Sequence, residues 1–414
     1  MLDQTLPGDL GTELLDRLNA LAKFTEGGPG LTRRPFTPEH KAANHLITSW
    51  MERADLDVTL DAAGTLVGRK PGPENSKTFL IGSHQDSIRH GGKYDGMLGI
   101  ALPILVLEYF RDVELPYSIE VLAFADEEGV RFPTALMGPR VLAGTFDPDS
   151  LNLRDVDGIS LRQALAEFGG NPERLSNEKR DPEGTIGYLE VHIEQGPILE
   201  AESLSVGVVT AICGIERWTV NLKGQAAHAG TTPMALRRDA FAGAAEIALK
   251  VEAVCSAQEN MVGVVGNLEV LPNVVNAIPG STVFTIELRA SSDGVRSSVG
   301  AELTAAIEDI ATRRNLGFEI SKTYAQGAVP CDDGLSALLG ASIYSCGIEP
   351  FRLMSGATHD ASAMSDLCPV AMLFTRCTGG LSHHPDEAIT PEDALDSANV
   401  VSGFLNRLKD HVSG

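Results

Sequence analysis

Two adjacent carboxylates, Glu127 and Glu128, directly follow the apolar run 119–125, and His84 and Asp95 lie upstream of them. Adjacent acids at the end of a strand repel each other unless a cation offsets their charge. A pair in which one carboxylate binds metal and the other carries protons is the usual division of labour in hydrolysis. The pattern therefore predicts a hydrolytic metal site.

His84 and Asp95 each stand in a segment suited to metal binding. His84 follows the strand-like run 79–81, and we expect the side chain of Asp86, two residues on, to hold the second nitrogen of its ring. Asp95 lies among four glycines in segment 91–99, which let backbone approach an ion closely. Taken alone, each motif has an ordinary alternative: a surface His–Asp pair, or a turn that uses Asp for its own hydrogen bonds.

Further histidines lie downstream. His192 and Glu194 alternate with apolar residues, which places both on one face of a strand, and His383 and His384 stand together in a loop, where we expect one ligand. The alternative for His192 and Glu194 is an exposed polar strand face, and that for His383 and His384 is a solvated turn. Nitrogen and oxygen donors without thiolate indicate zinc, manganese or cobalt in an open catalytic geometry.

The elements that must position these residues form an α/β pattern. Short apolar runs alternate with helical patterns over the first 210 or so residues, which predicts a mixed, mostly parallel sheet with functional residues at the carboxyl ends of its strands. Loops ending in polar clusters return after Gln326. We therefore predict a discontinuous catalytic domain, 1–213 and 327–414, interrupted by an inserted domain, 214–326.

The insert reads as βαββαβ, a small ferredoxin-like α+β domain that would serve as a lid. Its predicted strands are 218–222, 262–270, 282–290 and 317–320, and its second helix carries an apolar stripe at 295, 299, 303, 307 and 310. Its first helix has an apolar side that includes Phe241, Ala245, Ala248 and Leu249. Alternation in strand 282–290 places Arg289 on the polar face, where a guanidinium can grip a carboxylate with two parallel hydrogen bonds. The alternative for Arg289 is an internal salt bridge to Glu287.

Composition narrows the class of protein. The 414 residues include 33 basic and 56 acidic side chains, a net charge of -23, which disfavours nucleic acid and anionic membrane as partners. No apolar run approaches the roughly 20 residues that span a bilayer, and the N-terminal residues lack a signal-peptide pattern. The six cysteines are scattered without a C-x-x-C pair, so we expect reduced thiols and a cytoplasmic protein.

Eight ordered motifs between residues 80 and 390 together resemble those of one enzyme family: G-S-H-Q-D-S, G-G-K-Y-D-G, D-E-E-G-V-R-F, H-I-E-Q-G-P, H-A-G-T-T-P-M, N-V-V-N-A-I-P-G, S-G-A-T-H-D-A and S-H-H-P-D-E. It is the hydantoinase/carbamoylase amidase family, within the aminoacylase/carboxypeptidase superfamily of dizinc hydrolases. Members include N-carbamoyl-L-amino acid hydrolases, β-ureidopropionases and allantoate amidohydrolases.

The resemblance implies a site with two divalent ions, zinc or else manganese, cobalt or nickel. It assigns His84 and His192 to one ion, Glu128 and His383 to the other, and Asp95 to the bridge between them. Glu127 becomes the general base. The implied substrate contacts are Gln195, His228, Asn276, Arg289, Gly356 and His359. His228 would also stabilise the developing oxyanion, although a buried histidine with satisfied hydrogen bonds is its alternative.

The implied reaction is hydrolysis of the N-carbamoyl C–N bond of a ureido acid, which releases ammonia, carbon dioxide and an amino acid. The resemblance also implies a homodimer that pairs through the insert. Asp126, Glu287 and Thr358 depart from the residues that the family often has at these positions, which bears on substrate preference. The alternatives are an aminoacylase or peptidase that cuts N-acyl amino acids, and a catalytically idle metal-binding or solute-binding protein.

Overall fold

The computed structural model describes residues 6–413, which divide into two compact units. Unit 1 comprises the described residues up to Thr210, then Cys331–Leu353, then those from Thr358 on; unit 2 comprises Ala211–Pro330 and Met354–Ala357. Each unit has its own hydrophobic core.

The helices, in chain order, are α1 (Leu10–Leu21), α2 (Pro38–Arg53), α3 (Leu98–Tyr109), α4 (Met137–Ala143), α5 (Leu161–Phe168), α6 (Ile198–Ala201), α7 (Ala240–Ser256), α8 (Asp293–Arg313), α9 (Asp333–Ser345), α10 (Asp360–Met364) and α11 (Pro391–Ser413). The strands are β1 (Asp57–Leu60), β2 (Leu66–Lys70), β3 (Thr78–His84), β4 (Ser118–Phe124), β5 (Thr185–Ile193), β6 (Val206–Ile212), β7 (Gly214–Lys223), β8 (Ala227–His228), β9 (Met261–Leu271), β10 (Ala277–Ile278), β11 (Ser281–Ala290), β12 (Gly317–Gln326), β13 (Val329–Pro330), β14 (Arg352–Ser355) and β15 (Val370–Thr375).

The larger sheet has the strand order β1-β2-β4-β3-β5-β15-β6-β13, and β14 also pairs with β6. Its four central strands, β4, β3, β5 and β15, are parallel, whereas the pairs β1–β2, β2–β4, β15–β6 and β6–β13 are antiparallel. The predicted mixed α/β sheet with parallel strands around the site is confirmed.

The central strands are buried on both faces, which explains their near-continuous apolar sequence. The helix α3 packs on β3, β4 and β5, and its residues from Leu98 to Leu107 are all buried. Gly82 of β3 allows a close approach to β4, because a Cβ there would lie 2.0 Å from the carbonyl oxygen of Leu122. This rigid layer fixes the strand ends from which the site residues project.

Unit 2 contains a four-stranded antiparallel sheet of order β12-β7-β11-β9, on which α7 and α8 pack. In β11 the residues Phe284, Ile286 and Leu288 are buried, and Arg289 lies on the opposite, half-buried face. The strand β12 runs to Gln326 and is therefore longer than the segment 317–320 that the sequence indicated.

The prediction for the buried side of α7 was wrong. Phe241 and Leu249 are 43% and 68% exposed, and Ala245 is exposed as well. The buried stripe instead includes Ala240, Ala244, Ile247 and Val251, together with Gly243. This helix has two apolar stripes, and the one with smaller side chains lets the helix approach the sheet more closely. Among the helices within residues 6–413, none is both long enough and apolar enough to cross a bilayer.

Candidate active site

Five of the predicted site residues of unit 1 come from the carboxyl ends of the four parallel strands. His84 is the last residue of β3, His192 lies one residue before the end of β5, and Glu127 and Glu128 follow β4. His383 lies in the loop after β15, and Asp95 lies between β3 and α3. Parallel strands end at the same edge of a sheet, so these distant segments meet there.

His84 and His192 are oriented in the same way. The Nδ1 of His84 donates to the backbone oxygen of Asp86 at 3.0 Å, and that of His192 donates to the backbone oxygen of Ile193 at 2.9 Å. A carbonyl oxygen can only accept a hydrogen bond, so the proton of each neutral ring is on Nδ1. In the neutral form each ring therefore carries its lone pair on Nε2, and that of His192 accepts a hydrogen bond from the backbone nitrogen of Gly96 at 3.1 Å.

The prediction that the Asp86 carboxylate holds the His84 ring was wrong, because the nearest oxygen of that carboxylate lies 3.8 Å from Nδ1 of His84. The Asp86 carboxylate instead accepts hydrogen bonds from the backbone nitrogens of Glu127 and Glu128, at 3.0 and 3.1 Å. Asp86 is fully buried, and it thus fixes the backbone of both glutamates while its own carbonyl orients His84.

Asp95 lies between two groups of donors. Its Oδ1 is 3.3 Å from Nε2 of His84 and 3.1 Å from Nε2 of His192. Its Oδ2 is 3.5 Å from Nε2 of His383, which in turn lies 3.6 Å from Oε1 of Glu128. The ligand atoms of His84, Asp95 and His192, and those of Asp95, Glu128 and His383, each lie within 4.8 Å of one another. The two oxygens of one carboxylate therefore face different histidines, and the ligand atoms of His84, Glu127 and Glu128 also lie within 4.8 Å of one another.

His383 and His384 differ in position. His383 has φ +56 and reaches Asp95 and Glu128, whereas His384 accepts a hydrogen bond from the backbone nitrogen of Asp386 at 3.1 Å. His383 is therefore the one of the pair that faces the centre.

Burial governs the charges of this centre. Burial raises the pKa of Glu127 well above its usual value, and the neighbouring Glu128 carboxylate raises it further. Burial and the Asp95 carboxylate raise the pKa of Glu128 to about 8. Burial alone would raise the pKa of Asp95, but His192 and His84 in their protonated forms hold it well below its usual value through charge and hydrogen bonding. So many acids close together in a buried site indicate a place for cations.

Gln195 and Ser382 both contact Asp95. The Gln195 amide nitrogen donates to Oδ2 of Asp95 at 2.8 Å and to Oγ of Ser382 at 3.2 Å, and Ser382 Oγ donates to the same Oδ2 at 2.8 Å. Gln195 has φ +59, a left-handed conformation that aims its side chain inward. Its Oε1 is buried without a hydrogen-bond partner among the described residues and remains an acceptor at the site.

Glu387 supports the Asp95 loop from the far end of the chain. It is 2% exposed, and its Oε1 accepts hydrogen bonds from the backbone nitrogens of Tyr94 at 2.8 Å and Asp95 at 3.0 Å. A Cβ on Gly92 would lie 2.1 Å from the Glu387 carboxyl carbon, which explains the glycine at that position. Burial raises the pKa of Glu387 to about 7, and the Asp95 carboxylate adds to this effect.

His359 lies behind His192. Their ring centroids are 4.7 Å apart in an edge-to-face arrangement, and His359 also packs on Phe374. Burial, and then the nearby His192, hold the pKa of His359 well below its usual value, which keeps the ring neutral. Glu190 approaches both histidines and accepts hydrogen bonds from Ser83 Oγ and the Ala361 backbone nitrogen, each at 2.8 Å.

The remaining predicted residues, His228, Asn276, Arg289 and Gly356, belong to unit 2. His228 is exposed, so the buried alternative is excluded. Its Nδ1 accepts hydrogen bonds from the backbone nitrogens of Gly230 and Thr231, at 3.0 and 3.2 Å, which places the proton of the neutral ring on Nε2. His228 pairs with Ala277 across the β8–β10 ladder, and Ala229 donates to the backbone oxygen of Asn276 at 2.9 Å. His228 and Asn276 are therefore near neighbours.

Arg289 makes the internal salt bridge that the sequence left open. Its Nε donates to Oε1 of Glu287 at 2.7 Å, and one terminal nitrogen donates to the backbone oxygen of Gly356 at 2.5 Å. The other oxygen of Glu287 accepts a hydrogen bond from Nε of Arg217. Arg289 thus shares its only carboxylate partner among the described residues with a second arginine.

Sequence reasoning gave no role to several residues that position this site: Asp86 as a backbone acceptor, Glu190, Ser382, Glu387 and Arg33. Arg33 is fully buried, and its guanidinium donates to the backbone oxygens of Gln85, Leu21 and Phe24. Burial lowers its pKa to about 10, so it stays protonated beside Asp86. Most of these residues lie within the eight sequence motifs given above, but their contacts are visible only in the structure.

The donor set fits divalent metal. Imidazole nitrogens and carboxylate oxygens converge, and no cysteine joins these groups within the described part of the chain.

The chain is similar to known proteins over most of its length. The model of peptidase family M20/M25/M40 matches residues 71–407. An N-carbamoyl-L-amino acid amidohydrolase from Geobacillus stearothermophilus is 39% identical over 94% of this chain and 97% of its own length. An allantoate deiminase from Arabidopsis thaliana is 37% identical over 96% of this chain and 82% of its own length. A crystal structure of a hydantoinase/carbamoylase family amidase from Burkholderia multivorans has a TM-score of 0.90 at 32% identity, covering 96% of this chain and 97% of that one.

The chain belongs to peptidase family M20/M25/M40, and it is a metal-dependent enzyme that acts on amide bonds. The resemblance to hydantoinase/carbamoylase amidases is likewise confirmed.

Proposed function

We propose that the protein hydrolyses the N-carbamoyl C–N bond of a ureido acid such as an N-carbamoyl amino acid. The observation that carries this proposal is the arrangement around Asp95: two donor sets share one carboxylate, and Glu127 lies within 4.8 Å of the ligand atoms of His84 and Glu128, where we assign it to proton transfer. The names of relatives that are similar over nearly their whole length favour the ureido group.

We propose that this arrangement binds two zinc ions. His84 and His192 would hold one ion, Glu128 and His383 the other, and Asp95 would contact both, with manganese, cobalt or nickel as substitutes. When bound, the ions supply Lewis-acid activation of the carbonyl and of water.

The chain's own residues carry the proton and bind the substrate. Glu127 takes a proton from the attacking water and later gives it to the amine as the C–N bond breaks. The resulting carbamic acid falls apart to ammonia and carbon dioxide, so that ureido acid and water yield amino acid, ammonia and carbon dioxide. His228 donates its Nε2–H to the oxyanion, and Arg289 binds the substrate carboxylate.

Gln195, Asn276, Gly356 and His359 are proposed to complete the substrate site. Gln195 keeps a buried oxygen without a protein partner in the described residues, which suits a ureido N–H. The ferredoxin-like unit 2, which carries His228 and Arg289, would act as a lid on the catalytic unit during turnover.

We also propose a homodimer that pairs through unit 2. The strand β9 is at the edge of its sheet, and Val262 and Val264 on it are 51% and 54% exposed. The neighbouring helix α7 exposes Phe241 and Leu249. Val262 and Val264 lie on the open face of the sheet, opposite Arg289 and Glu287 of β11, and an edge strand with exposed apolar side chains is typical of a surface that a second copy covers. Val264→Lys should convert dimer to monomer in light-scattering measurements, and an unchanged mass would contradict this interface.

The test of the reaction is ammonia release. The purified protein is assayed with N-carbamoyl-L-amino acids and N-carbamoyl-D-amino acids, 3-ureidopropionate and allantoate, with N-acetyl amino acids as the comparison, before and after chelation. We expect ammonia from a ureido acid, loss on chelation and recovery with zinc. Amino acid release from the N-acetyl compounds alone would replace the proposal by the aminoacylase alternative, and metal binding without any turnover would favour an idle binding protein.

A further inference from the structure

We infer that Arg217 is a positioning residue for the carboxylate subsite of Arg289, and that the cluster Arg217–Glu287–Arg289 is built to accept one carboxylate. This inference rests on the proposed function, in which Arg289 binds the carboxylate of the substrate. It adds a residue to which sequence reasoning gave no role.

The three side chains form a continuous ion-pair chain within unit 2. One oxygen of Glu287 accepts from Nε of Arg289 at 2.7 Å, and its other oxygen accepts from Nε of Arg217. The side chains of Arg289 and Glu287 are 27% and 21% exposed, and that of Arg217 is 47% exposed. The cluster is therefore open to a ligand.

The register of the sheet fixes these positions. Glu287 of β11 lies directly opposite Arg217 of β7, whereas Arg289 lies opposite the apolar Ile215. Tyr324 of β12 pairs with Arg217 on its other side, and the guanidinium lies 5.2 Å from the centre of that ring. Arg217 is thus held on both flanks, which favours a set geometry over a mobile surface charge.

The charges explain why two arginines are needed. An arginine whose guanidinium is fully paired with a carboxylate has no net charge left to attract a second anion. In this cluster two guanidiniums share one carboxylate, which leaves one net positive charge. Gly356 occupies another donor of Arg289 with a neutral carbonyl, which orients the guanidinium without cancelling its charge.

Glu287 is also one of the positions where the chain departs from the residue that its family often has. Its side chain spans the two arginines with one carboxylate oxygen on each. The substrate class that fits is therefore a ureido acid with a single carboxylate placed to reach Arg289.

Variants that change the net charge of the cluster distinguish a role of Arg217 in carboxylate binding from a merely structural role. Arg217→Gln leaves the cluster with no net charge, Glu287→Gln gives it two positive charges, and the double variant restores one. Steady-state KM and kcat are measured for an N-carbamoyl amino acid and for its carboxamide, which keeps the ureido group but lacks the carboxylate. Arg217→Lys tests rescue, and Arg313→Gln removes a guanidinium of similar exposure from ion pairs elsewhere in unit 2.

We expect Arg217→Gln to raise KM for the carboxylate substrate by about tenfold, the effect of one lost charge at a partly exposed site, and to change KM for the carboxamide far less. The double variant and Arg217→Lys should return KM to within about threefold of the wild type, and Arg313→Gln should match it. A double variant that binds as weakly as Arg217→Gln, or an equal loss on the carboxamide, overturns the inference.

The two proposals fail in different ways. If the wild type releases no ammonia from ureido acids but hydrolyses N-acetyl amino acids, the proposed function fails, and the same variants are compared on the N-acetyl acid and its amide. If the wild type is active on ureido acids but the KM pattern is absent, only the role of Arg217 fails. A wild type that is idle on both series overturns both.

Discussion

The carboxylate of Glu387 should control metal affinity without being a ligand. It supplies the acceptor for the backbone nitrogens of Tyr94 and Asp95, and Asp95 stands between the two donor sets. Replacing Glu387 by alanine removes that acceptor from two buried donors, each of which costs about 1–3 kcal/mol if left unsatisfied. The loop 92–97 can avoid this cost only by moving, which would displace Asp95.

The size of the effect follows from that cost. If about half of a total near 4 kcal/mol appears as misplacement of Asp95, metal affinity falls by about thirtyfold, since about 1.4 kcal/mol is a factor of ten. Glu387→Gln keeps a carbonyl oxygen that can accept from the two backbone nitrogens. The amide group replaces Oε2, which has no hydrogen-bond partner in the described structure, so no contact is lost. This variant should therefore bind metal within about threefold of the wild type.

Zinc titration of the metal-free protein by calorimetry, with a competing chelator, gives these affinities, and thermal unfolding of the same samples confirms that each variant is folded. Asp386→Ala serves as the control, because it removes a neighbouring carboxylate that is 80% exposed. If folded Glu387→Ala binds zinc as tightly as the wild type, Glu387 does not hold Asp95 in place and the reasoning is wrong.

Three further predictions concern single groups. Glu127→Gln should lower kcat by at least about a hundredfold while zinc still binds in the titration, and a rate within about tenfold of the wild type would remove Glu127 from proton transfer. Burial, with Arg33 nearby, lowers the pKa of His40 to about 3, so below pH 6.5 the unfolded chain takes up a proton that the folded chain does not. The free energy of unfolding should therefore fall by about 1.4 kcal/mol per pH unit from this group. Urea unfolding at several pH values should show a shallower loss of stability in His40→Gln. Burial raises the pKa of Asp61 to about 7, although hydrogen bonds from the backbone nitrogens of Thr65 and Ala63 oppose this shift. The stability that this group contributes is therefore lost as pH rises from about 4 to 7. Asp61→Asn should be more stable than the wild type by about 1–4 kcal/mol at pH 8, and equal stability there would contradict the assignment.

The sequence was most informative where function and strand ends coincide. His84, His192 and the pair Glu127 and Glu128 could be placed near strand ends, because the buried parallel strands are mostly apolar and polar residues at or just beyond their ends stand out. Spacing along the chain also identified Asp95.

Other features depend on contacts that spacing does not encode. Asp86 uses its backbone oxygen for His84 and its carboxylate for two backbone nitrogens, and the local conformation of the chain decides between these uses. Glu387 meets Asp95 only because the loop after β15 returns to the same sheet edge. The buried face of α7 was predicted wrongly because the helix has two apolar stripes. Only the distance at which each stripe can pack on the sheet distinguishes them.

The position of β15 has a consequence for how the protein is made. This strand lies between β5 and β6, although the ribosome produces it more than 150 residues after both of them. Until residue 375 has emerged, the nascent chain must keep the neighbouring edges of β5 and β6 unpaired, and such edges invite association with other chains. The segment that carries His383 follows directly, so this residue can reach Asp95 and Glu128 only after β15 has been synthesised.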